Sequence, residues 1–329
     1  MRVNLIAHNN GIGLSSDIRM LAGVLTDGGI DVTISLVERD SRGRKASALK
    51  TLVYRLRKGL PLRRSAHPPF DVNVMIERIR PHYLSAARIN VLLPHPEWFV
   101  ESDHENLAAI DVVLAKTRHA VEIFERLGKR TQFVGFSGND RLLADVPRER
   151  SFFHLAGGSD NKGTRPLLDI WQRHPEWPRL TVLQSARRAR ERIVAPNIDH
   201  RIDYLSDQDL RRLQNTHAFH LCPSETEGYG HYIVEALSVG AVVVSVDAPP
   251  MNELVTPEHG ILAPFARTGT QRLATTYFFD DEGMEATIER LLALPDVECN
   301  ALGRRARGWY EQNDRAFRSR IVEALHALA

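Results

Sequence analysis

Pro223-Ser224-Glu225-Thr226-Glu227-Gly228-Tyr229-Gly230-His231-Tyr232-Ile233-Val234-Glu235-Ala236-Leu237 reads as a strand end, a glycine-rich turn and a helix. The mostly apolar run 218–222 comes first, and Pro223 cannot extend a ladder. Gly228 and Gly230 flank one aromatic, which lets the backbone turn tightly and approach a ligand. From Tyr232 to Val239 the apolar positions suit a helix, and Gly240 suits its C-terminal cap. The β-branched run 241–246 is that of a strand covered on both faces. Glu227 therefore precedes a helix N-terminus and Glu235 lies inside the helix. An anion near the amides of 228–231 would meet free N–H groups and the positive end of the helix dipole. A carboxylate at 235 can accept hydrogen bonds from a pair of sugar hydroxyls.

Composition sets the outer bounds. The chain has 329 residues, 43% hydrophobic and 26% charged, with a net charge of +2. This is an ordinary globular composition of one large or two smaller domains, and it demands no nucleic-acid partner. Two distant cysteines, Cys222 and Cys299, make neither a disulfide framework nor a zinc spacing, which suits the cytoplasm. The opening Met1-Arg2-Val3-Asn4-Leu5-Ile6-Ala7 turns polar too soon for a signal peptide. No run approaches the length of a spanning helix.

Strand and helix patterns alternate along the whole sequence, which predicts α/β architecture with two Rossmann-like parallel-sheet domains. Strands are expected at 3–8, 31–37, 71–76, 89–93, 111–115 and 131–136, with a helix ending near Thr26 and another from about Lys116 to Gly128. Residues 142–149 read as a linker, so the expected domains are 1–145 and 150–310, with 311–329 a helix packing back on the first domain. In the second half, strands are expected at 152–155, 180–183 and 202–205. Helices are expected from 164 to about Trp171, over 284–292 and over 314–328. Ser206-Asp207-Gln208-Asp209 reads as a helix cap rather than a metal site, and the charge run Arg187–Arg192 as solvated surface.

Several loops carry candidate chemistry. Asn9-Asn10-Gly11-Ile12-Gly13 follows the first strand, and Gly11 and Gly13 are nucleotide-loop candidates. His95 sits between Pro94 and Pro96 just past a buried strand, on the edge where open α/β sheets bind ligands; Glu97 is its weaker neighbour. Ala156-Gly157-Gly158-Ser159-Asp160-Asn161-Lys162 can hold a diphosphate through amides at Gly157 and Gly158 and one point charge. It is not a Walker loop, because the spacing from glycine to lysine is wrong. Arg42 to Arg64 holds nine basic residues and no acid, with apolar residues at helical spacing. It suits either an anionic membrane surface or a solvated helix.

The string Pro-Ser-x-x-Glu-Gly-Tyr-Gly…Glu-Ala-Leu-x-x-Gly-x-Val-Val-Val, with seven residues between Glu227 and Glu235, resembles the retaining glycosyltransferases of family 4, of GT-B architecture. The resemblance is strongest over 200–265 and looser in the first half. It implies two domains facing a central crevice and transfer of a hexosyl-type sugar, in polysaccharide biosynthesis, from a nucleotide-diphospho-sugar to a glycan, lipid-linked or other hydroxyl acceptor. No cofactor or metal is implied. By the same resemblance Glu227 contacts the donor sugar, Glu235 the ribose, and Lys162 the diphosphate. His95 orients sugar or acceptor, and the backbone of Tyr204 and Leu205 lies beside the nucleobase. The loop of Gly11 and Gly13 approaches the donor sugar or the acceptor, and Gly228, Tyr229 and Gly230 approach the donor. An arginine that the family places about five residues before the lysine is glycine here, leaving Arg165 or the turn amides to take its part. A GT-B nucleotide-sugar epimerase and a non-catalytic donor-binding scaffold remain as alternatives. A lipid-linked acceptor would place the protein peripherally on the inner face of the membrane.

Overall fold

The computed structural model describes residues 1–8, 13–37 and 68–328, and the side chains of the first helix from Asp17 onward. Gly11 and the basic stretch Arg42–Arg64 lie outside the described residues, and Gly13 is seen only as the first helical residue. The chain divides into two compact units. The first comprises Met1–Lys116, Ala120–Val134 and Arg318–Ala329; the second comprises Thr117–His119 and Gly135–Phe317.

The first unit is built on β1 (Arg2–His8), β2 (Asp31–Val37), β3 (Phe70–Glu77), β4 (Ala87–Pro94), β5 (Val112–Ala115) and β6 (Thr131–Phe133), all parallel in the order β2-β1-β3-β4-β5-β6. Its described helices are α1 (Gly13–Asp27), α2 (Glu101–Asn106) and α3 (Arg118–Arg126). β6 is shorter than the apolar run suggests, although Val134 N–H still donates to Ala115 O at 3.0 Å. Apolar β-branched residues such as Val3, Val72, Val74 and Val91 fill the central strands, as burial on both faces requires.

One polar row interrupts this core. Asn4, Asn73 and Asn90 stand opposite one another across β1, β3 and β4. Asn4 Nδ2 donates to Asn73 Oδ1 at 3.1 Å, and Asn73 Nδ2 donates to Asn90 Oδ1 at 2.8 Å. The ends close on Ser35 Oγ, which donates to Asn4 Oδ1 at 2.7 Å, and on Leu84 O, which accepts from Asn90 at 3.0 Å. All three amides are buried, and these bonds offset their loss of water.

The second unit carries β7 (Glu149–Gly157), β8 (Leu180–Gln184), β9 (Val194–Ala195), β10 (Ile198–Arg201), β11 (His217–Cys222), β12 (Val242–Val246) and β13 (Ile261–Ala263). Their order is β13-β12-β11-β7-β8-β10-β9, parallel except for β9. The helices are α4 (Thr164–Arg173), α5 (Asp207–Thr216), α6 (His231–Ser238), α7 (Met251–Leu254) and α8 (Asp281–Ala293), and α9 (Asp296–His326) begins in this unit and from Arg318 belongs to the first. Phe152 anchors the core, with ring centroids 4.8 Å from Trp171 and 4.9 Å from Phe219.

Several elements differ from the sequence reading, three of them with a local cause in the structure. The strand expected at 202–205 lies at Ile198–Arg201, so Tyr204 and Leu205 fall in the following loop. Its alternation is masked because His200, not an aliphatic residue, fills the second inward position. The final helix starts at Asp296, far ahead of 314. Gly303 obscures its pattern, and a side chain there would bring its Cβ to 2.4 Å from Gly240 O. Finally, β14 (Phe265–Gln271) and β15 (Ala274–Phe279) form an antiparallel hairpin absent from the sequence reading. Its turn uses Arg272 at φ 58 rather than the asparagine–glycine pair that marks most tight hairpins.

Candidate active site

The second unit's sheet ends its central strands at two adjoining loops. β7 stops at Gly157, and the chain turns through 158–163 before α4. β11 stops at Cys222, and Pro223–Gly230 leads into α6. Glu225 N–H donates to Asn161 O at 2.9 Å, which ties the loops together. Gly163 sits at φ 60, and a Cβ there would lie 2.6 Å from Pro223 O, so no other residue fits without moving the second loop. Gly230, at φ 105, starts α6 where a Cβ would approach Leu254 to 2.9 Å. The hairpin joins the same assembly, because Tyr277 N–H donates to Glu225 O at 2.7 Å and Asn161 Nδ2 donates to Gln271 at 2.8 Å.

Lys162 and Glu227 meet here as a close ion pair, with side chains 14% and 13% exposed. Ser224 Oγ donates to the same Glu227 oxygen at 2.5 Å, and the Tyr232 hydroxyl bonds to Ser224 Oγ. Burial pushes the Tyr232 phenol well above its usual range, so it stays a neutral donor feeding this relay. The Lys162 ammonium also lies 3.6 Å from the centroid of the Tyr232 ring. Burial likewise keeps the Cys222 thiol beneath the pair protonated. The sequence pattern assigns no role to the Ser224 and Tyr232 hydroxyls, because neither the loop serine nor a tyrosine in an apolar helix start gives a periodic signal.

Glu235, one turn into α6, accepts from Gln214 Nε2 at 2.9 Å. Gln214 in turn accepts from Arg141 Nε at 2.8 Å, so the carboxylate is oriented through a buried amide. The Gly138 turn runs beside it, with the space for a Cβ 3.9 Å from Glu235 Cγ. The Tyr229 ring is buried and its hydroxyl donates to Phe136 O, so Tyr229 can offer a ligand only its backbone, as can Gly228 beside it. Tyr204 is 92% exposed in the loop before α5. Ser206 caps α5 by accepting from Asp209 N–H at 3.1 Å, and Asp207 pairs with Arg141 at 2.7 Å.

Near the Gly157–Gly158 turn stands one arginine and not another. Arg165 points away, pairing with Asp169 at 2.9 Å and Glu191 at 2.7 Å. Arg188, from the run read as solvated surface, donates to Gly158 O at 3.2 Å and pairs with Asp160. Its loop is anchored there because Ser185 N–H donates to Gly157 O at 2.8 Å.

His95 belongs to the first unit, just past β4, where Lys116 Nζ approaches its Nε2 to 2.8 Å. Glu97 is buried in the short turn that follows. Among the described residues no cluster of three or more His, Cys, Asp or Glu side chains is placed to hold a metal ion. No helix among them is long and apolar enough to cross a membrane.

Both loops fall inside one recognisable segment. Residues 151–277 match the family described as glycosyl transferases group 1. The matched segment contains Lys162, Arg188, Gln214, Glu227 and Glu235. No curated protein matches the chain by sequence. Solved structures do. The chain is similar to sucrose-phosphate synthase from Thermosynechococcus elongatus, at 14% identity and TM-score 0.69 over 100% of this chain and 99% of that one. HepE from Anabaena, in complex with UDP-glucose, aligns at 16% identity and TM-score 0.68, over 99% of this chain and 100% of that one. The lipopolysaccharide outer core galactosyltransferase WaaB aligns at 14% identity and TM-score 0.70 over all of both chains. These likenesses establish the fold, two parallel-sheet α/β units of GT-B type.

Proposed function

We propose that the protein is a retaining glycosyltransferase that moves a hexosyl-type sugar from a nucleotide-diphospho-sugar to a hydroxyl acceptor. The observation that carries this reading is the Lys162–Glu227 pair, set between two glycine turns within the segment similar to glycosyl transferases group 1. Such a site suits the departure of a diphosphate from an anomeric carbon, where negative charge grows on the leaving group. Lys162 and Arg188 supply cations, and the amides at Gly157–Gly158 and at the start of α6 supply donors. When the diphosphate takes Lys162, the Glu227 carboxylate is released toward the sugar. Glu235, aimed by Gln214, would accept from the ribose hydroxyls.

Charge is neutralised here by side chains and amides, so the reading needs no metal. A uridine donor is favoured by the UDP-glucose complex of HepE. The acceptor is proposed as a glycan or lipid-linked hydroxyl, in line with WaaB's action on lipopolysaccharide outer core. A lipid-linked acceptor would bring the basic stretch Arg42–Arg64 to an anionic membrane from the cytoplasmic side.

The test is direct. UDP-, GDP- and dTDP-sugars are incubated with the protein, and slow release of nucleoside diphosphate is followed, with anomeric configuration read by NMR. Release from at least one donor, lost in Glu227→Ala, is expected. Release that is unaffected by Glu227→Ala would sink the site assignment. Tight donor binding with no turnover on any acceptor would instead favour a donor-binding scaffold.

A further inference from the structure

At the carboxyl edge of the first unit's sheet, four ionisable side chains converge from four separate stretches. Glu77 ends β3, His95 follows β4, Lys116 follows β5, and Asp17 lies on α1. Lys116 Nζ is 2.9 Å from Asp17 Oδ2 and 2.8 Å from His95 Nε2. The Lys116 and Asp17 side chains are only 1% and 3% exposed. The other ring nitrogen of His95, Nδ1, is 3.8 Å from Glu77 Oε2. Glu77 adopts φ 69, rare for a residue with a side chain, and it does so at this one edge. Burial pushes its carboxyl up, against the opposing pull of Arg78, Arg80, Lys116 and His8.

The geometry fixes the proton inventory. Lys116 bonds to Asp17 as an ammonium, which has three donors and no acceptor. At 2.8 Å, His95 Nε2 can therefore only accept. The ring's one proton then sits on Nδ1, on the Glu77 side. Proton abstraction needs a lone pair, and the single lone pair of the neutral ring is filled by Lys116. A second proton on Nε2 would face the ammonium N–H and set two like charges side by side in a dry site.

We propose that Lys116, gripped by Asp17, is a positioning residue that locks His95 in the neutral Nδ1–H tautomer, so that His95 cannot act as a base through Nε2. Any part His95 takes in sugar transfer rests on the proposed function; the tautomer lock does not.

The experiment uses the full chain with 15N-labelled histidine. Long-range proton–nitrogen spectra distinguish Nδ1–H from Nε2–H rings, and loss of one signal set in His95→Gln assigns His95. The expected wild-type result is a protonated Nδ1 and bare Nε2, unchanged from pH 8 to pH 5. In Lys116→Met the ring is expected to titrate near the ordinary value of about 6.5, and Asp17→Asn, which frees the lysine to leave Nε2, should let the Nε2–H tautomer appear. A wild-type Nε2–H ring, a wild-type ring that titrates near that ordinary value, or an unchanged ring in Lys116→Met overturns the lock. Should Lys116→Met not fold, the wild-type spectrum alone decides. With an active donor in hand, Lys116→Met should add an acidic limb to the pH–rate profile, and a profile identical to wild type counts against the proposal. If no donor turns over, the spectra still stand, and only the sugar-transfer reading falls.

Discussion

Lys162 and Glu227 lie 65 residues apart in sequence and neutralise one another in the structure. Each is therefore the other's competitor for a ligand. Removing Lys162 takes away a charge-assisted contact to phosphate, worth about 1.5–3 kcal/mol. Lys162→Ala should weaken UDP binding by at least about tenfold, with uridine binding unchanged in calorimetry. Glu227→Gln should do the opposite to binding and slow the chemistry. Free UDP binds as tightly as in wild type or more so, while diphosphate release from a UDP-sugar falls by about a hundredfold or more. A parallel loss of UDP affinity in Glu227→Gln would show that the carboxylate only holds the lysine in place.

Glu235 is aimed by Gln214, and the pair predicts a preference among nucleotides. Wild-type protein should bind UDP more tightly than its 2′-deoxy counterpart. Glu235→Ala should erase most of that difference, which for a charged acceptor is about tenfold. Gln214→Leu should reduce it partly by freeing the carboxylate to rotate. Equal affinity for the two nucleotides in wild type would place the ribose elsewhere.

Arg188 yields a prediction that separates it from Arg165. Arg188→Ala should raise the Kd for UDP several-fold, with a smaller effect on UMP, because a second phosphate is what a second cation serves. Arg165→Ala, whose guanidinium is engaged on the exposed face of α4, should leave both affinities unchanged. The reverse ranking would return Arg188 to the solvated surface.

Five histidines of the second unit, His154, His200, His217, His220 and His259, are buried and held below their ordinary range by loss of water, and they weaken the unit in acid. Burial lowers His154 and His217 to about 4 and His220 to about 3, from an ordinary 6.5. The unfolded chain therefore binds more protons than the folded one below pH 6.5. Stability is full above that value and falls with decreasing pH until about pH 4 and below. A shift of this kind is worth about 1.4 kcal/mol per pKa unit. Tm should decline steadily between pH 6.5 and 4, and His220→Gln should flatten the curve. A Tm independent of pH over that interval would contradict the buried neutral rings.

The polar row of the first unit can be tested by deleting its middle member. Asn73→Ala strands Asn4 and Asn90, and each stranded buried group costs about 1–3 kcal/mol. The midpoint of denaturant unfolding should fall, with a larger drop than for Ser35→Ala at the end of the row. Equal effects from the two substitutions would mean that water reaches the middle of the sheet.

Much of this was legible in the sequence. The Pro223–Leu237 string gave the strand, turn and helix because each local preference agrees with the next, and the two glutamates could be placed relative to the helix from spacing alone. Lys162 is marked by its place in a glycine turn after a strand, with Arg165 as a further candidate. What escaped detection depends on contacts between distant stretches. Arg188 looked like surface because nothing local shows that Ser185 is pinned to Gly157. The partnership of Asp17 with Lys116 spans 99 positions and has no periodic trace. The Phe265–Phe279 hairpin lacked its usual turn residues, and the strand before Tyr204 was displaced because a histidine fills an inward position.

The asparagine row across β1, β3 and β4 has a further consequence, for misassembly. The buried stretches of these strands are otherwise mostly valine, leucine and isoleucine, which could pair at several offsets with similar burial. Sliding any strand by one residue turns its amide to the opposite face and confronts the two remaining amides with hydrocarbon. The row thus acts as a key cut at a single depth, costing wrong pairings far more than it adds to the right one. Its loss should be felt first in the yield of correctly folded protein during rapid refolding, before any large change in the stability of molecules that have already found their register.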